Sequence, residues 1–314
     1  KDTSRKIRQV QVFHMQDIRT SHQPLVSVVI ATYNMGQYIG QAVESVLNQS
    51  WTNLEIIVVD DGSTDNTPDV MQRFLENEKV VYIKNENQGQ PKAKNCGIKN
   101  AKGEFIAFCD ADDLWEPNKL EVQMPLFSTP KIGIVYSEIS NINPNNERFF
   151  RPSNEKRYAG NVIDKMLLEN FVPFGTSVIR RACVEKNGMF DEQFRMGIDW
   201  DLWLRYAMDW EFAFTSEPTY IYRIWEGQMS NNYRGRYKHA HLILQKFIAL
   251  HGSKIKKSIL NRAIADTYIK EANVIAKHEG LFWTPLKGIL IGLRRSPGYW
   301  LAWKSLIKLI INKR

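Results

Sequence analysis

Five short runs of residues, mostly apolar on both faces and most of them followed by an amphipathic stretch, constrain this chain more than any other feature. They cover residues 25–31, 54–59, 80–83, 105–109 and 132–136 and are rich in Val, Ile and Phe. A strand apolar on both faces has to lie inside a sheet that is covered on both sides. Segments 36–48, 66–77, 91–101 and 117–127 between them read as helices. The alternation predicts an α/β fold with an open, mostly parallel sheet flanked by helices, whose ligands gather at the carboxyl ends of the strands. Asp65, ahead of Asn66, Thr67 and Pro68, marks one helix start.

This pattern predicts one α/β domain over residues 24–233, preceded by an arm or linker at 1–23. Residues 140–230 are mixed, with a Pro- and Asn-rich loop at 141–152, a short helix near 161–169, a strand at 176–180 and an apolar helix at 199–208. Residues 234–314 read as helices throughout. Leu286, Ile289, Leu290 and Leu293 recur at helical spacing, as do Tyr299, Trp303, Leu306, Ile307 and Ile310, with Lys304 and Lys308 on another face.

Charge divides the chain in the same place. The net charge is +8, yet residues 234–314 hold 17 Lys and Arg against 3 Asp and Glu, so a basic helical extension follows an acidic body. Such a tail suits an anionic surface, and a basic amphipathic helix edged by Trp300 and Trp303 is the pattern of a membrane interface. Packing against the body or a second subunit is the competing expectation. Nucleic acid is not expected, because no recognised binding motif accompanies the charge. No run of 18 uncharged apolar residues occurs, so no spanning helix is expected. Cys96, Cys109 and Cys183 show no CxxC or Cys/His spacing, which predicts reduced thiols and a cytoplasmic protein, peripheral at most to the inner face of the membrane. The six histidines lie outside the acidic motifs and are expected at the surface or in packing.

The chemistry lies in carboxylates placed just after buried strands. Val58-Val59-Asp60-Asp61-Gly62-Ser63 ends one strand and Phe108-Cys109-Asp110-Ala111-Asp112-Asp113 ends another. Two carboxylates one residue apart can hold a hard divalent cation through oxygen, and that cation can neutralise a diphosphate. Asp65 and Asp113 fit a plainer role in capping and turns. For Asp110 with Asp112 that role is weaker, since adjacent acids without a cation or partner repel.

These residues, with Val26 to Asn34, Asn87-Gln88-Gly89, Ala93-Lys94-Asn95, Asn187-Gly188-Met189-Phe190-Asp191, Asp199-Trp200-Asp201-Leu202-Trp203-Leu204-Arg205 and Tyr222-Arg223, resemble the family 2 glycosyltransferases in order and spacing over residues 24–230. The resemblance implies a GT-A (Rossmann-like) fold, an inverting mechanism, and a nucleoside-diphosphate sugar donor, UDP-linked by the acid at Asp61, with Mn²⁺ or Mg²⁺ as cofactor. It further implies that Ala31, Tyr33, Asn34, Asp61, Lys94, Asp110 and Ala111 bind the nucleotide sugar, that Asp110 and Asp112 face the metal, and that Asp199 is the general base. Cell-surface glycan or polysaccharide synthesis, with a glycan or lipid-linked acceptor, is the implied setting. Asp201 is a local rival to Asp199, because on a helix the two point to different sides.

Two departures stand out. Lys94 replaces the family's usual Arg and offers a point charge in place of a planar fork. Trp225 stands where the family often has His, which removes an expected metal ligand. The Gln-x-x-Arg-Trp signature of processive members is absent. A nucleotidyltransferase-like enzyme is the competing enzymatic reading, against which no Gly-rich phosphate loop follows the first strand. A catalytically silent nucleotide- or carbohydrate-binding module is the non-enzymatic one.

Overall fold

The computed structural model describes residues 23–152, 156–228 and 232–311. Most of the arm at 1–23, with His14 and His22, therefore lies outside the described residues. The body is one nine-stranded sheet between two helical layers. Its strands are β1 (Val26–Thr32), β2 (Leu54–Asp60), β3 (Val80–Lys84), β4 (Phe105–Phe108), β5 (Leu114–Trp115), β6 (Ile132–Ile142), β7 (Arg148–Phe149), β8 (Val178–Arg180) and β9 (Glu211–Arg223). Their order is β3-β2-β1-β4-β8-β6-β9-β5, with β7 paired to β6. The strands β3, β2, β1 and β4 are parallel; β1, β2 and β4 are buried on both faces, as their apolar sequences predict, and β3 is the partly exposed edge. The sheet is mixed beyond β4: β8 is antiparallel to β4 and β6, β9 is parallel to β6, and β5 is antiparallel to β9.

The helices of the body are α1 (Ile39–Leu47), α2 (Thr67–Gln72), α3 (Gln90–Asn100), α4 (Lys119–Gln123), α5 (Ile163–Met166), α6 (Arg181–Asn187) and α7 (Ile198–Tyr206). They are followed by α8 (Tyr233–His251), α9 (Lys257–Glu279), α10 (Trp283–Arg295) and α11 (Trp300–Ile311). Several are shorter than their apolar patterns. The stretch at 117–127 gives only α4 and a 3₁₀ turn at Met124–Leu126, because Pro125 brings no N–H to the helix. The N-cap of α2 is Asn66, and Asp65 acts from one residue earlier, accepting from the Thr67 and Gly36 amides.

Alternation along the central strands sends side chains into two cores. Val29, Ile57, Val59, Ile106 and Phe108 meet α3, α7 and the start of the C-terminal helices, where Leu202, Trp203, Ile243, Leu244 and Phe247 are buried. Val28, Ile30, Ile56, Val58 and Ala107 meet α1, α2 and α4. Thus α8 shares its core with the sheet. The helices α10 and α11 pack instead on α9, through Ala265, Ile269, Ala272, Ile289, Ala302 and Leu309.

One buried charge fixes the loop that borders the strand ends. Lys119 has no exposed surface. Its ammonium donates to the Thr176 carbonyl and to Gln123 Oε1, both at 2.6 Å, and these neutral acceptors do not offset its desolvation. Burial therefore pulls its pKa down to about 7. Above that value the unfolded chain holds the proton that the native protein has lost, so stability rises as pH climbs from 7 toward the ordinary lysine range. Thermal melts between pH 7 and 8.5 are expected to show this rise in the wild type, and Lys119→Met is expected to flatten it. An unchanged slope in the variant would remove Lys119 as the cause.

Candidate active site

The carboxyl ends of β1, β2 and β4 open into one cavity of about 900 Å³. Because these strands are parallel and in register, Thr32 pairs with Asp60 and the residues just past each strand converge on the same crevice. Ala31, Tyr33, Asp61, Lys94, Asp110, Ala111 and Asp112 all line it. Asp199 lines it as well, with Asn170, Phe174 and Trp200 nearby on the wall. Every candidate from the sequence is gathered there except Asn34. That residue has a positive φ of 54°, and its side-chain oxygen accepts from the Thr64 amide at 2.8 Å, joining the turns after β1 and β2.

The acids divide by their partners. Asp60 is fully buried and serves the fold, accepting from the Ser63 amide at 2.7 Å and from the Tyr82 hydroxyl at 2.6 Å. Asp61 faces the cavity and also accepts from the amides of Gln88 and Gly89, at 2.9 and 2.8 Å. It thereby holds the N-terminal turn of α3 against β2, where Gly89 has a φ of 98° that a side chain would strain. Asp113 is buried rather than set in a solvated turn. It accepts from the Tyr220 hydroxyl at 2.8 Å and the Arg223 amide at 2.7 Å, and burial with the charges of Asp112 and Asp110 pushes its pKa well up.

Asp110 and Asp112 each have one strong protein donor. Lys94, nearly buried on α3, places its ammonium 3.0 Å from Asp110 Oδ1 and 3.6 Å from the centre of the Phe174 ring. Trp225 donates its indole N–H to Asp112 Oδ2 at 2.8 Å. Burial, then the charge of Asp110, raises the Asp112 pKa. Among the described residues no group of three or more His, Cys, Asp or Glu is arranged to hold a metal ion. The acid pair alone offers oxygen to a hard cation, and each carboxylate has a second oxygen beyond the one its donor engages.

On α7 the two rivals separate. Asp201 is buried and committed to Arg205 at 2.9 Å and Lys246 at 2.7 Å. Asp199 turns to the cavity, where Asn170 Nδ2 donates to its Oδ2 at 2.7 Å. Burial raises the Asp199 pKa, with Asn170 and the charge of Lys94 acting against that rise. Trp203 is in the core, whereas Trp200 lines the cavity and donates to the Met166 carbonyl at 2.7 Å. No described histidine lines the cavity. The sequence reading missed the wall made by the C-terminal helices, which bring Arg236, Tyr237 and Ile243 from α8 and Asp266, Thr267 and Lys270 from α9. The buried Ile243, Leu244 and Phe247 on one side of α8 carry the signal that ties this helix to the body.

Fold and cavity together define a GT-A-type protein with an acidic strand-end site. The model of glycosyl transferase family 2 matches residues 27–188. An uncharacterized glycosyltransferase of Rickettsia prowazekii is 33% identical over 215 residues, covering 67% of each chain. The UDP-Glc:alpha-D-GlcNAc-diphosphoundecaprenol beta-1,3-glucosyltransferase WfaP of Escherichia coli is 42% identical over 114 residues, 36% of this chain and 45% of that one. The crystal structure of S. aureus TarS 1-349 in complex with UDP-GlcNAc has the same fold, with a TM-score of 0.66 at 18% identity over 87% of this chain and 81% of that one. The chain belongs to glycosyltransferase family 2 and is a glycosyltransferase.

The different partners of the α7 carboxylates lead to a separable outcome. Asp201→Asn takes the carboxylate from Arg205 and leaves Lys246 with Asp191 alone, at 2.7 Å, and is expected to cost roughly 3 kcal/mol of stability in urea unfolding. Asp199→Asn is expected to leave the unfolding midpoint nearly unchanged. Equal losses for both variants would contradict this assignment.

Proposed function

We propose that this protein transfers a sugar from a UDP-linked donor to a hydroxyl acceptor with inversion, with Asp199 as general base. The observation that carries the reading is that Asp199 and the Asp110–Asp112 pair face one cavity while Asp201 is locked in ion pairs. The nucleotide lies along Ala31, Tyr33, Asp61 and Ala111, with Asn34 holding the adjoining turn. Lys94 and Asp110 lie toward the ribose and diphosphate. Asp112, with Asp110, would hold a divalent cation, Mn²⁺ or Mg²⁺. Two carboxylates fit such an ion only when the diphosphate and water supply its other ligands, and when bound it neutralises the leaving diphosphate. Asp199 accepts the acceptor's proton as its oxygen attacks the anomeric carbon, and the raised pKa makes it a better base than an ordinary aspartate.

Similarity to WfaP, whose name specifies a UDP-Glc donor and a diphosphoundecaprenol-linked acceptor, favours UDP and a lipid-linked acceptor here. Surface-glycan synthesis at the inner face of the cell membrane is the matching setting. No helix among the described residues is long and apolar enough to cross a membrane, so contact with one is peripheral in this reading.

The test is release of UDP from nucleotide sugars with and without Mn²⁺, paired with calorimetric UDP binding. Asp199→Asn is expected to lower transfer about 10²- to 10⁴-fold while UDP affinity is kept. Near-normal transfer by that variant would exclude Asp199 as the base. Asp112→Asn is expected to weaken UDP binding in the presence of Mn²⁺ and to leave metal-free binding little changed; an equal loss in both conditions would exclude Asp112 as a metal ligand. The base works deprotonated, so activity falls as pH drops through its raised pKa. Asn170→Ala removes a hydrogen bond that favours the charged form, and the acid limb of kcat is expected to move to higher pH. A limb that stays in place would detach Asn170 from the base.

A further inference from the structure

The last two helices face the wrong way for a closed globular surface. On α11 the small residues Ala302 and Ser305, with Leu309, are buried, while Trp300, Trp303, Ile307, Ile310 and Ile311 are exposed. At helical spacing these five fall within an arc of about 100°. On α10, Trp283, at 73% exposure, and Leu290 are exposed as well. Of the fifteen large hydrophobic side chains exposed among the described residues, eight lie between Leu281 and Ile311. A patch of this kind on an otherwise polar surface marks a docking site.

Charge identifies the occupant. Between residues 281 and 311 stand Lys287, Arg294, Arg295, Lys304 and Lys308, with no Asp or Glu. The Lys304 ammonium lies 5.1 Å from the centre of the Trp300 ring, so basic and apolar groups border one another. A second copy would bring the same positive charge to the contact and be repelled. An anionic lipid bilayer satisfies both components, taking the Trp and Ile side chains below its headgroups and the Lys and Arg side chains among them.

The position of the patch relates it to the cavity. One helix, α9, packs against α10 and α11 through Ala265, Ile269 and Ala272 and lines the cavity through Asp266, Thr267 and Lys270. The Tyr299 hydroxyl, just before α11, donates to Asp266 Oδ1. Asp266 Oδ2 pairs with Lys270 at 2.8 Å, and Lys270 donates to the Leu168 carbonyl at 3.0 Å, two residues before Asn170. The exposed helix is thus fixed to the Asp199 side of the cavity by hydrogen bonds as well as packing.

We propose that the α10–α11 face seats the enzyme on an anionic lipid bilayer and holds the Asp199 side of its cavity in a fixed relation to that surface. The purpose of the seat, delivery of a lipid-linked acceptor, rests on the transferase reading, whereas the seat itself does not. Co-sedimentation of the full chain with vesicles of phosphatidylcholine alone, or mixed with phosphatidylglycerol, tests it. Binding is expected only to the mixed vesicles and is expected to weaken in raised salt. The triple substitution Trp300→Ser, Trp303→Ser, Ile307→Ser is expected to reduce it at least about tenfold, and Lys304→Glu with Lys308→Glu to reduce it comparably.

All five positions are outside the cavity, so a thermal shift with UDP measures the donor site separately and is expected to be unchanged in both variants. Failure of the wild type to sediment, or sedimentation of the triple variant like the wild type, would overturn the proposal. So would a concentration-dependent dimer in light scattering that the triple substitution abolishes, since the occupant would then be a second copy. Absence of UDP binding with vesicle binding intact would remove the UDP-donor reading and leave the seat.

Discussion

The acidic end of the site depends on one buried guanidinium. Arg223, at the end of β9, has no exposed surface. Its Nε donates to the Asp112 carbonyl at 2.7 Å, Nη1 to Asn146 Oδ1 at 2.6 Å and Nη2 to Gln41 Oε1 at 2.9 Å, and the Tyr38 ring lies 4.5 Å away. Its own amide donates to Asp113 Oδ1. A charge withdrawn from water is tolerated only when its donors are satisfied. Meeting that requirement here joins the end of β9, helix α1, the turn after β6 and the acidic loop after β4. Asp112 is fixed by this network before its own carboxylate makes any contact, and Trp225, two residues beyond Arg223, then takes one of the carboxylate oxygens.

Much of this arrangement was legible in the sequence because it is local. The buried strands β1, β2 and β4 are apolar on both faces, and the acids follow them directly, so sheet position and crevice position come from the same few residues. The strand β9 is different. Its alternation is broken by Pro218 and its pairing with β6 shifts register around Ser137 and Glu138, so it does not read as a strand. The strand at 176–180 reads locally and is β8, but its antiparallel place between β4 and β6 depends on non-local pairing that its residues do not specify.

Within the site, the identity of each acid was easier to read than its partner. Helical spacing says that Asp199 and Asp201 diverge but not which faces the cavity. That choice is made by Arg205 and Lys246, the second of them 45 residues away on α8. Trp225 was legible only as a missing ligand. In the folded chain its indole N–H donates to Asp112 Oδ2 and so orients that carboxylate. Likewise Asp61, marked by its motif as a cavity residue, also holds the Gln88 and Gly89 amides, because a carboxylate can face a ligand and hold a backbone turn at once.

Two buried lysines show how the fold places charge. Lys94 has a carboxylate partner in Asp110 and lies where the cavity opens, whereas Lys119 has only neutral acceptors beneath the sheet and its pKa falls accordingly. The same contrast applies to the acids. Asp201 is buried among cations, while Asp199 is enclosed with an amide donor and a more distant Lys94, so desolvation dominates and its pKa rises. That enclosure comes in part from the cavity wall of α8 and α9, outside the segment 27–188 that matches the family model. The C-terminal helices therefore supply part of the wall of the cavity that Asp199 faces.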